Sequence, residues 1–258
     1  MKFSDKKELK IQNKFIKNGY LIFDIVHKNE LNSIKDKLIK FSLIFLKKKS
    51  IKIKNKKNLL DNIHNYLSVK MLNEFRLYIY NKINNSKDFQ KLYFNLGKKY
   101  IEILCGNELV MQKKCNLSIQ FPMDDSSLLP LHADVWSGDS EYELVFWLPL
   151  VNVYKTKSMY ILPPKDNQKY SKILKKSKSI DDIFSKVKKK LKWLKIDYGQ
   201  GLLFTQNLMH GNVVNLENGT RWSFNCRFKS VFSPYKDKEI GSFFTPITIK
   251  PTTILGMN

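Results

Sequence analysis

The chain has 258 residues, 43% of them hydrophobic and 13% aromatic, which excludes a disordered polymer and allows a sizeable core. It has no run of eighteen apolar residues, and the opening Met1 to Lys6 lacks the apolar block of a signal peptide. The expectation is a cytoplasmic protein without a membrane span. A net charge of +23 suits a nucleic-acid partner, yet only Arg76, Arg221 and Arg227 of the 46 basic residues are arginines. Readers of nucleic acid rely on arginine's planar fork, so no nucleic-acid partner is expected. Lysine runs such as Lys47 to Lys49 and Lys188 to Lys190 read as solvated surface in a chain with the composition of AT-rich codons.

In chain order, Glu8 to Lys17 carries Leu9, Ile11, Phe15 and Ile16 on a helical period, and Asn18-Gly19 ends it. Tyr20 to Phe23 reads as a short strand. Helical patterns follow at about 29–47, 67–84 and 88–104, with a lysine-rich connector from Lys47 to Lys57. From Glu108 the texture changes to short apolar runs separated by Pro, Gly, Asn and Asp. The predicted strands are 109–121, 129–135, 142–150, 157–162, 193–197, 201–205, 211–215 and 220–231. Residues 165–190 read as a lysine-rich helical insertion, a lid or plain surface, and the tail shows no periodicity. The fold class is therefore α+β in a single domain. Residues 1–107 form a mainly helical support, 108–235 a jelly-roll (double-stranded β-helix, cupin-like) core, and 236–258 a tail.

The three cysteines, Cys105, Cys115 and Cys226, form no CxxC, so neither a disulfide framework nor a zinc knuckle is indicated. Of the four histidines, His27 and His64 fall in the helical part and carry no motif. His132-Ala133-Asp134 lies at a predicted strand end, where residues two apart share a face. His210 follows a separate strand and precedes Gly211-Asn212. Two imidazoles and one carboxylate on one octahedral face leave three positions open, as in non-haem Fe(II) oxygenases. A 2-oxo acid can take two of those positions and O2 the third. An isolated HxD also reads as a hydrogen-bonding pair at a strand end.

Arg221-Trp222-Ser223 begins eleven residues after His210, and Arg221 and Ser223 share a strand face. Together they can clamp a carboxylate, the arginine as a bidentate fork. An ordinary ion pair is the plainer role for Arg221, though a chain so poor in arginine keeps the residue where an ammonium would not serve.

In this order and spacing the residues resemble the Fe(II)/2-oxoglutarate dioxygenases of the phytanoyl-CoA dioxygenase type. Phe15 to Leu21 looks like the family's opening helix and strand, and His132-Ala133-Asp134 like its first two metal ligands. Thr156 to Pro163 is similar to its central strand, although Pro163-Pro164 stands where Pro-Gly is usual. His210-Gly211, Asn215, Arg221 and Ser223 repeat the spacing of its third ligand and co-substrate clamp. The resemblance implies Fe(II), 2-oxoglutarate and O2, with Ser158 adding a hydroxyl contact to the co-substrate. Asp134 stands where halogenating relatives carry a small residue, which implies hydroxylation or another oxidation. Leu129 to Ser140 and Lys157 to Tyr160 look like a bacterial subgroup from carbohydrate biosynthesis, implying a carbohydrate or nucleotide-sugar substrate.

Candidate substrate contacts are Gln120, which alternates with Asn116 and Ser118, then Trp136, Asp139 and Arg227. Each also has a plainer role: solvent-facing edge, core, loop, or ion pair. Phe146 and Trp147 read as core. The competing functions are a metal-binding cupin-type sugar isomerase without oxygenase activity, and a basic nucleic-acid-binding module.

Overall fold

A computed structural model of the protein describes residues 3–174 and 179–256. Helix α1 (Lys6–Asn18) starts where the Asp5 carboxylate accepts the amides of Lys7 and Glu8. It stops at Gly19, which adopts φ +71°, a conformation that costs other residues a Cβ clash. Strand β1 (Tyr20–Asp24) follows, then α2 (Lys28–Lys48), α3 (Val69–Asn84) and α4 (Phe89–Cys105). These helices lie where the apolar periodicity placed them.

The β part contains β2 (Leu109–Gln112), β3 (Asn116–Gln120), β4 (Leu144–Pro149) and β5 (Tyr160–Ile161). Helices α5 (Pro164–Leu174) and α6 (Ile180–Val187) intervene before β6 (Lys192–Trp193), β7 (Gln200–Thr205) and β8 (His210–Gly211). Strand β9 (Arg221–Ser230), β10 (Phe244–Thr248) and α7 (Pro251–Gly256) complete the chain. A seven-stranded sheet runs β1-β7-β4-β9-β2-β10, with β3 also paired to β9, and a three-stranded sheet runs β6-β5-β8. Every ladder is antiparallel.

Strand β9 shows how the large sheet is held. Its even-numbered residues Trp222, Phe224, Cys226 and Phe228 are fully buried. Three of them meet helical aromatics: Trp222 packs on Phe75, Phe224 on Phe89, and Phe228 on Phe94, with ring centroids 5.0–5.8 Å apart. Each such ring contributes about 1.5–3 kcal/mol by leaving water. The odd-numbered residues face the other way, toward the small sheet. The helices and the large sheet share one apolar cluster.

The structure departs from the sequence reading where 193–197 gives way to Lys192–Trp193 and 211–215 to His210–Gly211, and at four more instructive places. The run 109–121 is two strands, because Asn84 accepts the Cys115 amide (2.8 Å) and donates to its carbonyl (3.1 Å). The run 129–135 is no strand: His132 makes a single bridge to His210, and a 3₁₀ turn begins at Asp134. Pro164 opens α5, where a missing N–H costs nothing, so the Pro-Pro pair starts a helix. Strand β10 lay hidden because Pro246 and a register shift interrupt its pattern.

The insertion is helical, as expected, although residues 175–178 lie outside the described part. Tyr170, Ile183 and Val187 from α5 and α6 form a second cluster with Leu131, Ala133, Tyr160, Leu162 and Met209. Leu131 and Ala133 flank His132, and Met209 precedes His210. The insertion therefore backs the small sheet. No described helix is long and apolar enough to cross a membrane.

Candidate metal centre and anion pocket

His132 and His210 face each other across reciprocal backbone hydrogen bonds of 2.9 and 2.8 Å, with ring centroids 4.3 Å apart. The extended backbone of Ala133 (φ −121°, ψ 133°) carries the chain on to Asp134. Asp134 Oδ1 lies 3.4 Å from His132 Nε2 and 3.8 Å from His210 Nε2. One ligand atom from each residue falls within 4.8 Å of the others.

The outer nitrogens set the tautomers. His132 Nδ1 meets the Pro130 carbonyl at 2.7 Å and His210 Nδ1 meets the Leu208 carbonyl at 2.8 Å. A carbonyl can only accept, so Nδ1 carries the proton in both rings and each Nε2 keeps its lone pair for the centre. Burial pushes the His210 imidazole down to about 4, against partial compensation by the Asp134 carboxylate. At His132 burial also pulls downward, but the Asp134 carboxylate and the Pro130 carbonyl outweigh it and the net shift is up. Asp134 is raised by burial and lowered more by His132, His210 and Arg227, reaching about 2. A neutral imidazole and an ionised carboxylate are the forms that bind a divalent ion. The donor set suits Fe(II) with open positions for a chelating 2-oxo acid.

These groups line a cavity of about 220 Å³ between the two sheets. Arg221, Ser223, Asn225 and Arg227, the odd-numbered face of β9, form its floor, with Asn116 and Ser118 beside them on β3. Arg221 is 3% exposed, donates to Ser118 Oγ (3.1 Å) and reaches the Ser158 carbonyl (3.5 Å). Its Nε has no partner, nor has the buried Ser158 hydroxyl. Among the described residues no carboxylate pairs with Arg221. Burial, with Arg76 nearby, lowers it to about 10, so it stays cationic at neutral pH.

Arg227, six residues along the same face, is surrounded by acids. Its Nη2 is 3.7 Å from Asp134 Oδ2, and its Nε is 3.3 Å from Asp139 and 3.9 Å from Glu143. Asp139 is 1% exposed and also binds Lys238, so its carboxylate meets two cations. Asp139 and Arg227, both expected to touch substrate, are thus engaged with each other, and Arg227 also lines the cavity. Gln120 is fully buried, donates to the Val213 carbonyl (2.8 Å) and does not line the cavity. Trp136 is 38% exposed on the 3₁₀ turn that starts at Asp134.

Sequence reasoning missed Trp147, Asn225 and Asn212. Trp147 lines the cavity while Phe146, one residue earlier, packs on Phe23 and Tyr93. The rule that joined Arg221 to Ser223 also reaches Asn225. Asn212, which accepts the Leu129 amide at 2.7 Å, had no signal at all. At Gly211, a Cβ would fall 2.5 Å from the Tyr160 hydroxyl and 2.7 Å from the Leu129 carbonyl oxygen. Glycine lets β8 approach that closely.

No profile of a known protein family matches the chain, and no curated protein does. Solved structures do resemble it. The non-heme monooxygenase ThoJ in complex with nickel is 13% identical with a TM-score of 0.57, over 94% of this chain and 85% of that one. EctD from S. alaskensis, in its apoform, is 14% identical over 93% and 83%, with a TM-score of 0.55. The non-heme alpha ketoglutarate dependent carbocyclase SnoK from nogalamycin biosynthesis is 12% identical over 96% and 98%, at 0.52. At these identities the likeness is one of architecture: a mixed helix and antiparallel-sheet fold shared with non-heme oxygenases.

Proposed function

We propose that the chain is a non-haem Fe(II)/2-oxoglutarate-dependent dioxygenase of the phytanoyl-CoA dioxygenase type, built on a jelly roll. One observation carries the reading. A buried arginine without a carboxylate partner shares a small cavity with two imidazoles and a carboxylate whose ligand atoms converge. Burying an unpaired guanidinium is costly, and an anionic ligand removes the cost.

In this reading His132, Asp134 and His210 hold the iron. Arg221 and Ser223 take the distal carboxylate of 2-oxoglutarate, with the Ser158 hydroxyl as a further contact. The bound ion supplies coupled oxidation: 2-oxoglutarate and O2 become succinate and CO2, and one oxygen atom enters a substrate C–H bond. The chain's own part is orientation and exclusion of water. The Pro130 and Leu208 carbonyls hold the imidazoles in their ligand tautomers, and Phe204, edge-on to His210 at 4.9 Å, shields that ligand.

The substrate proposed is a carbohydrate or nucleotide sugar. Asn116 and Asn225 offer amides to hydroxyls in the cavity, and exposed Trp136 offers a stacking face. A cupin-type isomerase would leave Arg221 without a task.

The test is anaerobic addition of Fe(II) and 2-oxoglutarate. A weak visible charge-transfer band is expected, with succinate formed once air is admitted. Asp134→Ala abolishes both. A wild-type protein giving neither band nor succinate overturns the assignment.

A further inference from the structure

The imidazole of His210 is aimed by a backbone group, the Leu208 carbonyl. That carbonyl belongs to the turn between β7 and β8, so the ligand is only as well placed as the turn. The turn is pinned at three points. Leu208 packs so tightly on Gly19 that a Cβ there would lie 2.7 Å from its Cδ1. Gln206, fully buried, donates to Glu143 at 2.5 Å. The third pin comes from the insertion: Asn167 Oδ1 accepts the Met209 amide at 2.7 Å, and its Nδ2 donates to the Asn207 carbonyl at 2.9 Å. One amide thus bonds the residues on both sides of Leu208.

We propose that the α5–α6 insertion is the buttress of the metal centre and that Asn167 is the positioning residue for His210. The proposal rests on the metal-site reading above. Asn167 sits in the first turns of α5, and α5 is fixed by Tyr170 in the cluster that holds Leu131, Ala133 and Met209. One helical pair therefore braces both chain segments that carry imidazoles. Asparagine suits the task because its short side chain offers an acceptor and a donor side by side. Alanine offers neither, and aspartate keeps only the acceptor.

The experiment is Co(II) titration of the metal-free protein, without 2-oxoglutarate or substrate, followed by visible absorption. Thermal unfolding of each metal-free variant is recorded alongside. Asn167→Ala is expected to weaken Co(II) about 10–100-fold, the range for lost outer-sphere partners of ligating histidines, and to alter the Co(II) bands. Asn167→Asp retains the Met209 bond and should fall between wild type and Asn167→Ala. Wild-type Co(II) affinity and spectrum in Asn167→Ala would overturn the buttress and leave the metal site standing. Should Asn167→Ala fail to fold while Asn167→Asp binds Co(II) like wild type, the residue is a packing contact and the proposal falls. A wild-type protein that binds no Co(II) at this site instead removes the metal-site reading itself.

Discussion

Two positions of β9, six residues apart, carry the same side chain on the same face and put it to opposite uses. Arg221 is buried with two hydroxyl-bearing neighbours and, among the described residues, no acid, whereas Arg227 meets Asp134, Asp139 and Glu143 within 4 Å. The neighbours decide this, since both residues arise from one i, i+2 alternation. An arginine surrounded by carboxylates is neutralised in place; an arginine left without one fits the anion socket proposed for Arg221.

The largest contrast should appear in stability. Arg227→Met takes the guanidinium from two buried carboxylates, of which Asp139 keeps Lys238 and Glu143, among the described residues, keeps no cation within 4 Å. It is expected to cost about 3–5 kcal/mol, the range for removing one partner from a buried ion pair. Arg221→Met deletes a charge with nothing to neutralise it, so the metal-free protein should be as stable as wild type or more so. Urea unfolding of the two variants checks both. Equal losses would mean that Arg221 has an acidic partner in solution and is no vacant socket.

Next in size is a pH effect at the Arg227 end. His210 is held near 4, below its ordinary 6.5, chiefly by burial, with His132 and then Arg227 adding to it against the Asp134 carboxylate. A folded value below the unfolded one means that the folded protein binds fewer protons between pH 4 and 6.5. Stability is therefore full above about 6.5 and lost as pH falls toward 4, by about 3 kcal/mol at about 1.4 kcal/mol per pH unit. His132, shifted upward, contributes with the opposite sign and is lost as pH rises through its folded value, so the two imidazoles must be resolved separately. NMR titration of the metal-free rings does so. A His210 ring titrating at 6.5 would show that the centre is open to water.

At the Arg221 end the expected effect is on the co-substrate. Arg221→Lys keeps the charge and loses the fork, and 2-oxoglutarate should bind about 10–100-fold more weakly, or about 1.4–2.7 kcal/mol. Co(II) affinity should stay unchanged, because Arg221 does not touch the ligands. Calorimetric titration separates the two. Undiminished 2-oxoglutarate binding would remove Arg221 from the pocket.

Much of this was legible because β9 is ten residues long and alternates cleanly, so the face shared by Arg221, Ser223 and Arg227 follows from parity alone. The helices were legible for the same reason, with a period of 3.6. The small sheet was legible only in part: the predicted 157–162 contains β5, while 193–197 and 211–215 only touch β6 and β8. Its strands are two residues long, and its link to His132 is a single bridge, too short for any period to register. The triad was found through its residue types instead. The partners of Arg227 were illegible because Asp139 and Glu143 come from a loop and a strand edge, which only tertiary folding brings to the guanidinium. Asn167 stayed invisible inside a lysine-rich helix whose composition reads as surface.

The midpoint of β9 gives the smallest effect and the sharpest check on the alternation. Asn225 lies between the two arginines on the cavity face, and its Oδ1 accepts from Asn116 Nδ2 at 2.8 Å. Asn225→Ala removes one neutral hydrogen bond beside a cavity large enough for water, so the loss should be about 0.5–1.5 kcal/mol. The neighbouring Phe224 faces the helices, and Phe224→Ala should cost about 3–5 kcal/mol. Parity alone separates these adjacent positions. If urea unfolding gave Asn225→Ala the larger loss, the strand would be out of register by one residue, and both arginines would point at the helices with no cavity to serve.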